Sequence, residues 1–368
     1  MKPPGRRAHA VHPYRGPHTA IGGDRTVVSE QIVFTAAADY YHAAEAEFRT
    51  EFPSASVERL APDTGRLTGA DLDIAQAAEV CRQVPVVFVR HLIRATTWLP
   101  LTPGETFGDR VAATCLELMM REQHAAVSLQ VWTADGTRSP LRSDELRRLV
   151  DNHLREEGVD VMRSGRATTL AVCVTPAGAA VGTCPSEATL ADWPGGRVGL
   201  ARSAGQISRS ELKLDELFKL YQLPIPAGGD ALDLGASPGG WTNVLRRRGF
   251  VLWAVDPAPL DPRLADDPQV HHVATTAGMF LPRTDRWFDL VVNDMRMAPD
   301  RSCATMLAAA HRLRPGGCGI VTLKISPHRP QRALEESLGL LGRAYDVLFA
   351  RQLFHNRNEV TVVCRGRM

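Results

Sequence analysis

The 368-residue sequence has no apolar run long enough to cross a bilayer. Its first 25 residues, rich in Pro, Gly, His and Arg, lack the continuous apolar stretch of a secretory signal. Neither a membrane partner nor export is expected, and the chain reads as cytoplasmic. Seven cysteines, at 81, 115, 173, 184, 303, 318 and 364, form no C-x-x-C pair and no Cys/His ligand spacing. That pattern argues against a structural metal and fits reduced, mostly buried thiols. An excess of charge is missing too: 43 Lys+Arg face 41 Asp+Glu, so any nucleic-acid surface must come from local clustering of arginines. What the chain has is length, enough for about two domains, each able to bury a core without staples.

Three segments follow from the pattern. Residues 1–28 read as a flexible basic tail. Residues 29–189 alternate strand and helix signals in the manner of a smaller α/β unit. Its expected parts are a strand at 31–35, a helix at 40–52, a strand at 86–90, helices at 107–122 and 143–157 flanking a strand at 126–132, and a hairpin over 169–182. Arg90, His91 and Arg94 place three cations on one strand and its exit, which suits either contact with phosphate or a salt-bridged edge. Pro194-Gly195-Gly196 marks a linker or turn before residues 190–368 settle into the second unit.

That second unit is organised around Leu232-Asp233-Leu234-Gly235-Ala236-Ser237-Pro238-Gly239-Gly240-Trp241, an apolar strand that ends in small residues and opens into a helix. Small residues admit a ligand to the backbone N–H groups, and the helix N-terminus adds its positive dipole end. An ordinary strand-to-helix turn has the same composition. A second apolar strand, 251–255, ends in Asp256, about where a ribose-binding acid belongs in a nucleoside-cofactor fold. Further strands near 270–274, 288–293, 319–324, 344–350 and 359–364, with helices at 301–313 and 329–341, predict a Rossmann-like doubly wound sheet. Asp294 and Lys324 then leave buried strands at the same edge as Asp256. Burial favours a neutral amine and a carboxylate favours the ammonium, so such a pair can hold a lysine near the point where it accepts a proton, or can be a structural ion pair. Upstream, Ser208 and Glu211 form a capping-box pattern at the head of a helix whose Leu212, Leu217 and Leu220 make an inward stripe.

Several of these stretches carry a resemblance. Ala191-Asp192-Trp193-Pro194, Ser208-Arg209-Ser210 with Leu212-Lys213-Leu214, the glycine turn, Asn293-Asp294-Met295, Leu323-Lys324, and Ala350 to His355 with Glu359-Val360-Thr361-Val362 resemble the FtsJ-type RNA 2′-O-ribose methyltransferases. The likeness is strongest to those acting on cytidine in bacterial 23S rRNA. The resemblance implies a class I S-adenosylmethionine-dependent methyltransferase fold preceded by a THUMP-like RNA-binding domain. Its Lys-Asp-Lys-Glu tetrad falls on Lys213, Asp294, Lys324 and Glu359, with Lys324 as general base. It further implies cofactor contacts from Ser208, Gly235, Ala236, Ser237, Pro238, Gly239, Gly240, Trp241, Asp256 and Asp294. In one place the chain departs from the family. Where the family carries an acid that holds the adenine, this sequence reads Thr275-Thr276-Ala277-Gly278-Met279.

A ribose 2′-hydroxyl is a poor nucleophile near neutral pH, so methylation gains from a positioned base and fixed geometry, and it needs no metal. Three rivals stand beside this reading: the same enzyme acting on tRNA or another RNA, a non-catalytic RNA-binding or ribosome-assembly factor on a degenerate fold, and a nicotinamide dehydrogenase. The irregular glycine spacing disfavours the last.

Overall fold

The computed structural model describes residues 30–83, 86–102, 106–201 and 205–367. The expected basic tail lies outside them. Three sheets follow one another along the chain. The first is built from β1 (Glu30–Ala36), α1 (Tyr41–Glu51), the hairpin β2 (Ser56–Ala61) and β3 (Thr64–Gly69), α2 (Ile74–Arg82) and β4 (Val89–Arg94), in the antiparallel order β2-β3-β1-β4. The second contains β5 (Thr97–Leu99), α3 (Thr106–Arg121), β6 (Ala126–Thr133), α4 (Ser143–Glu156), β7 (Asp160–Met162), β8 (Thr168–Thr175) and β9 (Gly178–Pro185), ordered β5-β9-β8-β6-β7. Its core, from Phe107 and Val111 on α3 through Leu129, Leu146 and Val150 to Leu170 and Val181, is drawn from this segment alone.

The third sheet carries the doubly wound pattern. Its elements are α5 (Glu211–Leu220), β10 (Gly229–Leu234), α6 (Gly240–Arg247), β11 (Phe250–Val255), α7 (Pro262–Ala265), β12 (Val270–Val273), α8 (Ala277–Phe280), β13 (Phe288–Asn293), α9 (Pro299–Ala310), β14 (Leu313–Leu323), α10 (Pro330–Leu341), β15 (Tyr345–Arg351) and β16 (Val360–Gly366). The order is β12-β11-β10-β13-β14-β16-β15, parallel from β12 to β14, with β16 antiparallel to both its neighbours. Alternation along the strands feeds two apolar layers. Leu232, Leu234, Val291, Val321 and Leu323 face Cys303, Met306 and Leu334 of α9 and α10, while Ala231, Leu290, Val292 and Ile320 face Leu214, Leu217, Val244 and Leu245 of α5 and α6. No helix among the described residues is long and apolar enough to cross a membrane. All seven cysteines are buried and free.

The structure differs from the sequence reading in the first half. The strand expected at 86–90 pairs only from Val89 onward. Val87 and Phe88 instead donate their N–H groups to the buried Glu47 carboxylate, at 2.8 and 3.0 Å. Of the two readings offered for Arg90, His91 and Arg94, the structure favours the salt-bridged edge, because β4 closes one side of its sheet and these side chains are engaged within the fold. Arg94 pairs with Glu30 at 2.7 Å, and Arg90 reaches the carbonyl of Leu353 at 3.1 Å. His91 is fully buried edge-on to Trp132, and burial pushes its imidazole down to about 4. Pro194-Gly195-Gly196 is a buried turn, and Thr35 Oγ1 donates to the Gly195 carbonyl at 2.9 Å. The capping box is half made: Glu211 accepts the Ser208 N–H at 3.3 Å, but the Ser208 hydroxyl is paired with that of Ser210. Of the inward stripe, Leu212 and Leu217 are buried and Leu220 only half-buried, while Leu214, outside that expectation, is also buried.

The first sheet is fastened to the third by polar contacts as well as by apolar packing. Buried Arg351 donates to the carbonyl of Val89 at 2.9 Å and to that of Cys81, and Gln352 N–H donates to the carbonyl of Val87 at 3.0 Å. Arg351→Met keeps the apolar stem but orphans two buried carbonyls. It is expected to lower stability by about 2–4 kcal/mol, read as a fall in the urea midpoint at unchanged slope.

Candidate active site

The carboxyl ends of β11, β13 and β14 are followed by Asp256, Asp294 and Lys324. Because β16 runs the other way, its first residues lie at that same edge, and pairing of Leu323 with Val360 sets Lys324 beside Glu359. Lys213 arrives from α5. Its Nζ donates to Asp294 Oδ1 and Oδ2 at 2.8 and 3.0 Å and sits 2.5 Å from Glu359 Oε2. Lys324 Nζ is 2.8 Å from Asp294 Oδ1 and 3.0 Å from Glu359 Oε1. The four predicted residues thus form one closed cluster of two cations and two anions, with each side chain less than a fifth exposed. Burial alone would raise the Asp294 carboxyl. Lys213 and Lys324 outweigh it and hold that carboxyl below its ordinary range.

Sequence reasoning missed a fifth member. The Thr322 hydroxyl, wholly buried, donates to Asp294 Oδ1 and accepts from Lys324 Nζ at 2.6 Å. The available signal was its place two residues before Lys324 on the same strand, which puts both side chains on one face. Lys324 therefore has three acceptors for its three ammonium protons.

The cluster lies in a cleft of about 900 Å³ lined also by Ser208, Gly235, Ala236, Ser237, Pro238, Trp241 and Asp256. Asp256 accepts the N–H groups of Ser237 and Ala258 at 3.2 and 2.8 Å. Thr275 to Gly278 line the cleft where the adenine acid was expected, and Thr276 and its neighbours offer no carboxylate there. Below, burial raises Asp233 to about 7, and it accepts the Thr242 hydroxyl at 2.6 Å. Arg209, Arg296, His355 and Arg357, none of them assigned a role from sequence, also line it.

Two predicted contacts are placed differently. Gly239 and Gly240 lie behind the cleft and are not among its lining. Gly239 caps α6 with φ 105°, and a Cβ there would strike Leu264. One on Gly240 would strike the hydroxyls of Ser208 and Ser210. These glycines let α7 and the head of α5 close on the turn, so they shape the site from outside.

An FtsJ-like methyltransferase family model matches residues 206–331. Ribosomal RNA large subunit methyltransferase M of Halorhodospira halophila is 39% identical over 177 residues, 47% of this chain and 51% of that protein, so the match spans about half the relative's length. The protein of the same name from Alkalilimnicola ehrlichii is 32% identical over 296 residues, 72% of this chain and 80% of its own. The chain belongs to the ribosomal RNA large subunit methyltransferase M family. Its C-terminal half is an S-adenosylmethionine-dependent methyltransferase domain of the FtsJ-like type. Among solved structures, TrmN from Thermus thermophilus aligns over 92% of this chain and all of its own at 17% identity and a TM-score of 0.39, a likeness that carries no functional information.

Membership in the family makes the unassigned Thr322 testable. Thr322→Val keeps the shape but removes the hydroxyl between Asp294 and Lys324. Cofactor affinity is expected to stay within about twofold while methyl transfer falls about tenfold or more, with Thr322→Ser restoring most of it. Isothermal titration and single-turnover transfer, run in parallel, check both halves.

Proposed function

We propose that the chain methylates a ribose 2′-hydroxyl of large-subunit ribosomal RNA, 23S rRNA in bacteria, with Lys324 as general base. The observation that carries this reading is the closed Lys213–Asp294–Lys324–Glu359 cluster set beside a cleft floored by the glycine turn. The residues fit the methyl donor. The cleft is large enough for a nucleoside-sized ligand, the short side chains of Gly235 to Pro238 line it, Asp256 suits ribose hydroxyls, and Asp294 offers negative charge toward a sulfonium.

When bound, S-adenosylmethionine supplies an electrophilic methyl group on a positively charged sulfur. The chain's own residues hold the ribose and take its proton. Lys324 Nζ, having first given one proton to solvent, would take the 2′-hydroxyl proton while that oxygen bonds to the methyl carbon and the carbon–sulfur bond breaks with its electron pair left on sulfur. The neutral amine keeps two N–H groups for two of its three acceptors, so Asp294 and Thr322 continue to aim it. Lys213 and Glu359 complete the charge balance and position the ribose.

Residues 29–189 are proposed as the RNA-binding, THUMP-like half and 190–368 as the catalytic half. Support for an RNA platform is the self-contained core of the second sheet, which leaves that layer free of the methyltransferase core. The ribosomal substrate rests on the names of the relatives.

Lys324→Ala removes the proton acceptor and leaves the glycine turn alone. Cofactor binding should persist while transfer falls about 10²- to 10⁴-fold. Lys324→Arg should not rescue it, because a guanidinium is effectively never deprotonated. Single-turnover methylation of a 23S rRNA transcript at several pH values is the measurement, and near wild-type rate in the arginine variant would withdraw the base assignment.

A further inference from the structure

The loop between β15 and β16 carries Glu359 into the charge cluster, and it carries a second polar side chain into the same cleft, His355. Three separate elements hold this loop. From α5, the buried Glu216 carboxylate accepts the N–H of Phe354 at 2.8 Å and that of His355 at 2.9 Å. From β4, Arg90 donates to the carbonyls of Gln352 and Leu353 and lies over the Phe354 ring. From β16, Thr361 Oγ1 accepts from Asn356 Nδ2 at 2.9 Å.

Glu216 also fixes the imidazole. His355 Nδ1 lies 2.7 Å from Glu216 Oε2, and that oxygen already accepts a backbone N–H. A carboxylate only accepts, so a proton sits on Nδ1 and Nε2 is the ring nitrogen left for another partner. The side chain is 10% exposed, with Nδ1 turned to a residue only 2% exposed. Among the described residues Nε2 has no hydrogen-bond partner and is absent from the buried polar atoms left without one, so it is the atom open to the cleft.

The sheet order decides what Nε2 meets. Cofactor residues stand on β10 and β11, whereas the 352–359 loop lies across β13 and β14 from them, beyond the charge cluster. Arg357, exposed on that loop and lining the same cleft, gives this end a charge suited to a polyanion. We propose that His355 is a substrate-contacting residue, held by Glu216, whose Nε2 makes a hydrogen bond with a polar group of the nucleotide being methylated. This rests on the RNA methyltransferase reading above.

Two isosteres separate contact from anchoring. In His355→Asn the amide nitrogen takes the place of Nδ1 and can still donate to Glu216, but nothing occupies the place of Nε2. His355→Gln does the reverse. With the full chain and a 23S rRNA transcript, kcat/KM for RNA is expected to fall about tenfold or more in the Asn variant, carried by KM, while melting temperature and S-adenosylmethionine affinity match wild type. The Gln variant should recover part of the loss. An Asn variant with wild-type kcat and RNA KM, or one that loses cofactor binding or melts early, would make the ring an anchor only and overturn the proposal. Wild-type protein that transfers methyl to no RNA would instead overturn the functional reading itself, and this assignment with it.

Discussion

Two ammonium groups and two carboxylates share one partly buried space at the edge of the third sheet, and the arrangement is tolerable because the charges cancel. Removing any one leaves an uncompensated charge away from water, which costs far more than the pair contributes when intact. The surroundings serve that neutrality. β16 must run antiparallel to β14 so that Glu359 starts where Lys324 ends, α5 must lie across the strand ends to deliver Lys213, and Thr322 must spend its one proton on Asp294. The chain contains four lysines, at 2, 213, 219 and 324, and uses arginine for nearly every other cation. Two of those four stand in the cluster.

The first sheet belongs to this site more closely than its place in the chain implies. Its core runs without a break into the apolar layer under β13 and β14, and Tyr40 donates its hydroxyl to the carbonyl of Ile325, the residue after Lys324. Glu47 holds residues 87 and 88 away from pairing, and that stretch of backbone receives Gln352 and Arg351 from the methyltransferase sheet. The buried Glu47 carboxyl, raised by desolvation to about 8, is a cost accepted at the joint between the two sheets. The second sheet, with a core of its own, has no such role.

What could be read from the sequence divides along a physical line. The strands and helices of the third sheet were legible because apolar period and glycine turns are local signals; Asp294 and Lys324 were legible because each follows a buried strand, whereas Lys213 and Glu359 came only from the family resemblance. Arg90 looked like a surface cation on a strand because its partner carbonyl is 263 residues away. Glu216 looked like any helical acid, since the N–H groups it accepts lie 138 and 139 residues downstream. Thr322 looked like ordinary strand composition. Gly239 was read as making room for a ligand, whereas the atom it makes room for is on Leu264, in a helix the sequence pattern did not reveal. In each case the type of residue was visible and the identity of its partner was not.

The bracket from β4 to the 352–359 loop also bears on how such a chain can change over generations. A recognition half joined by a plain tether can be exchanged for another without disturbing chemistry. Here the backbone of residues 87–90 is part of the mould in which the loop bearing Glu359 and His355 is cast. The first sheet and the loop are therefore constrained to change together, whereas the second sheet, with a core of its own, is free of that constraint.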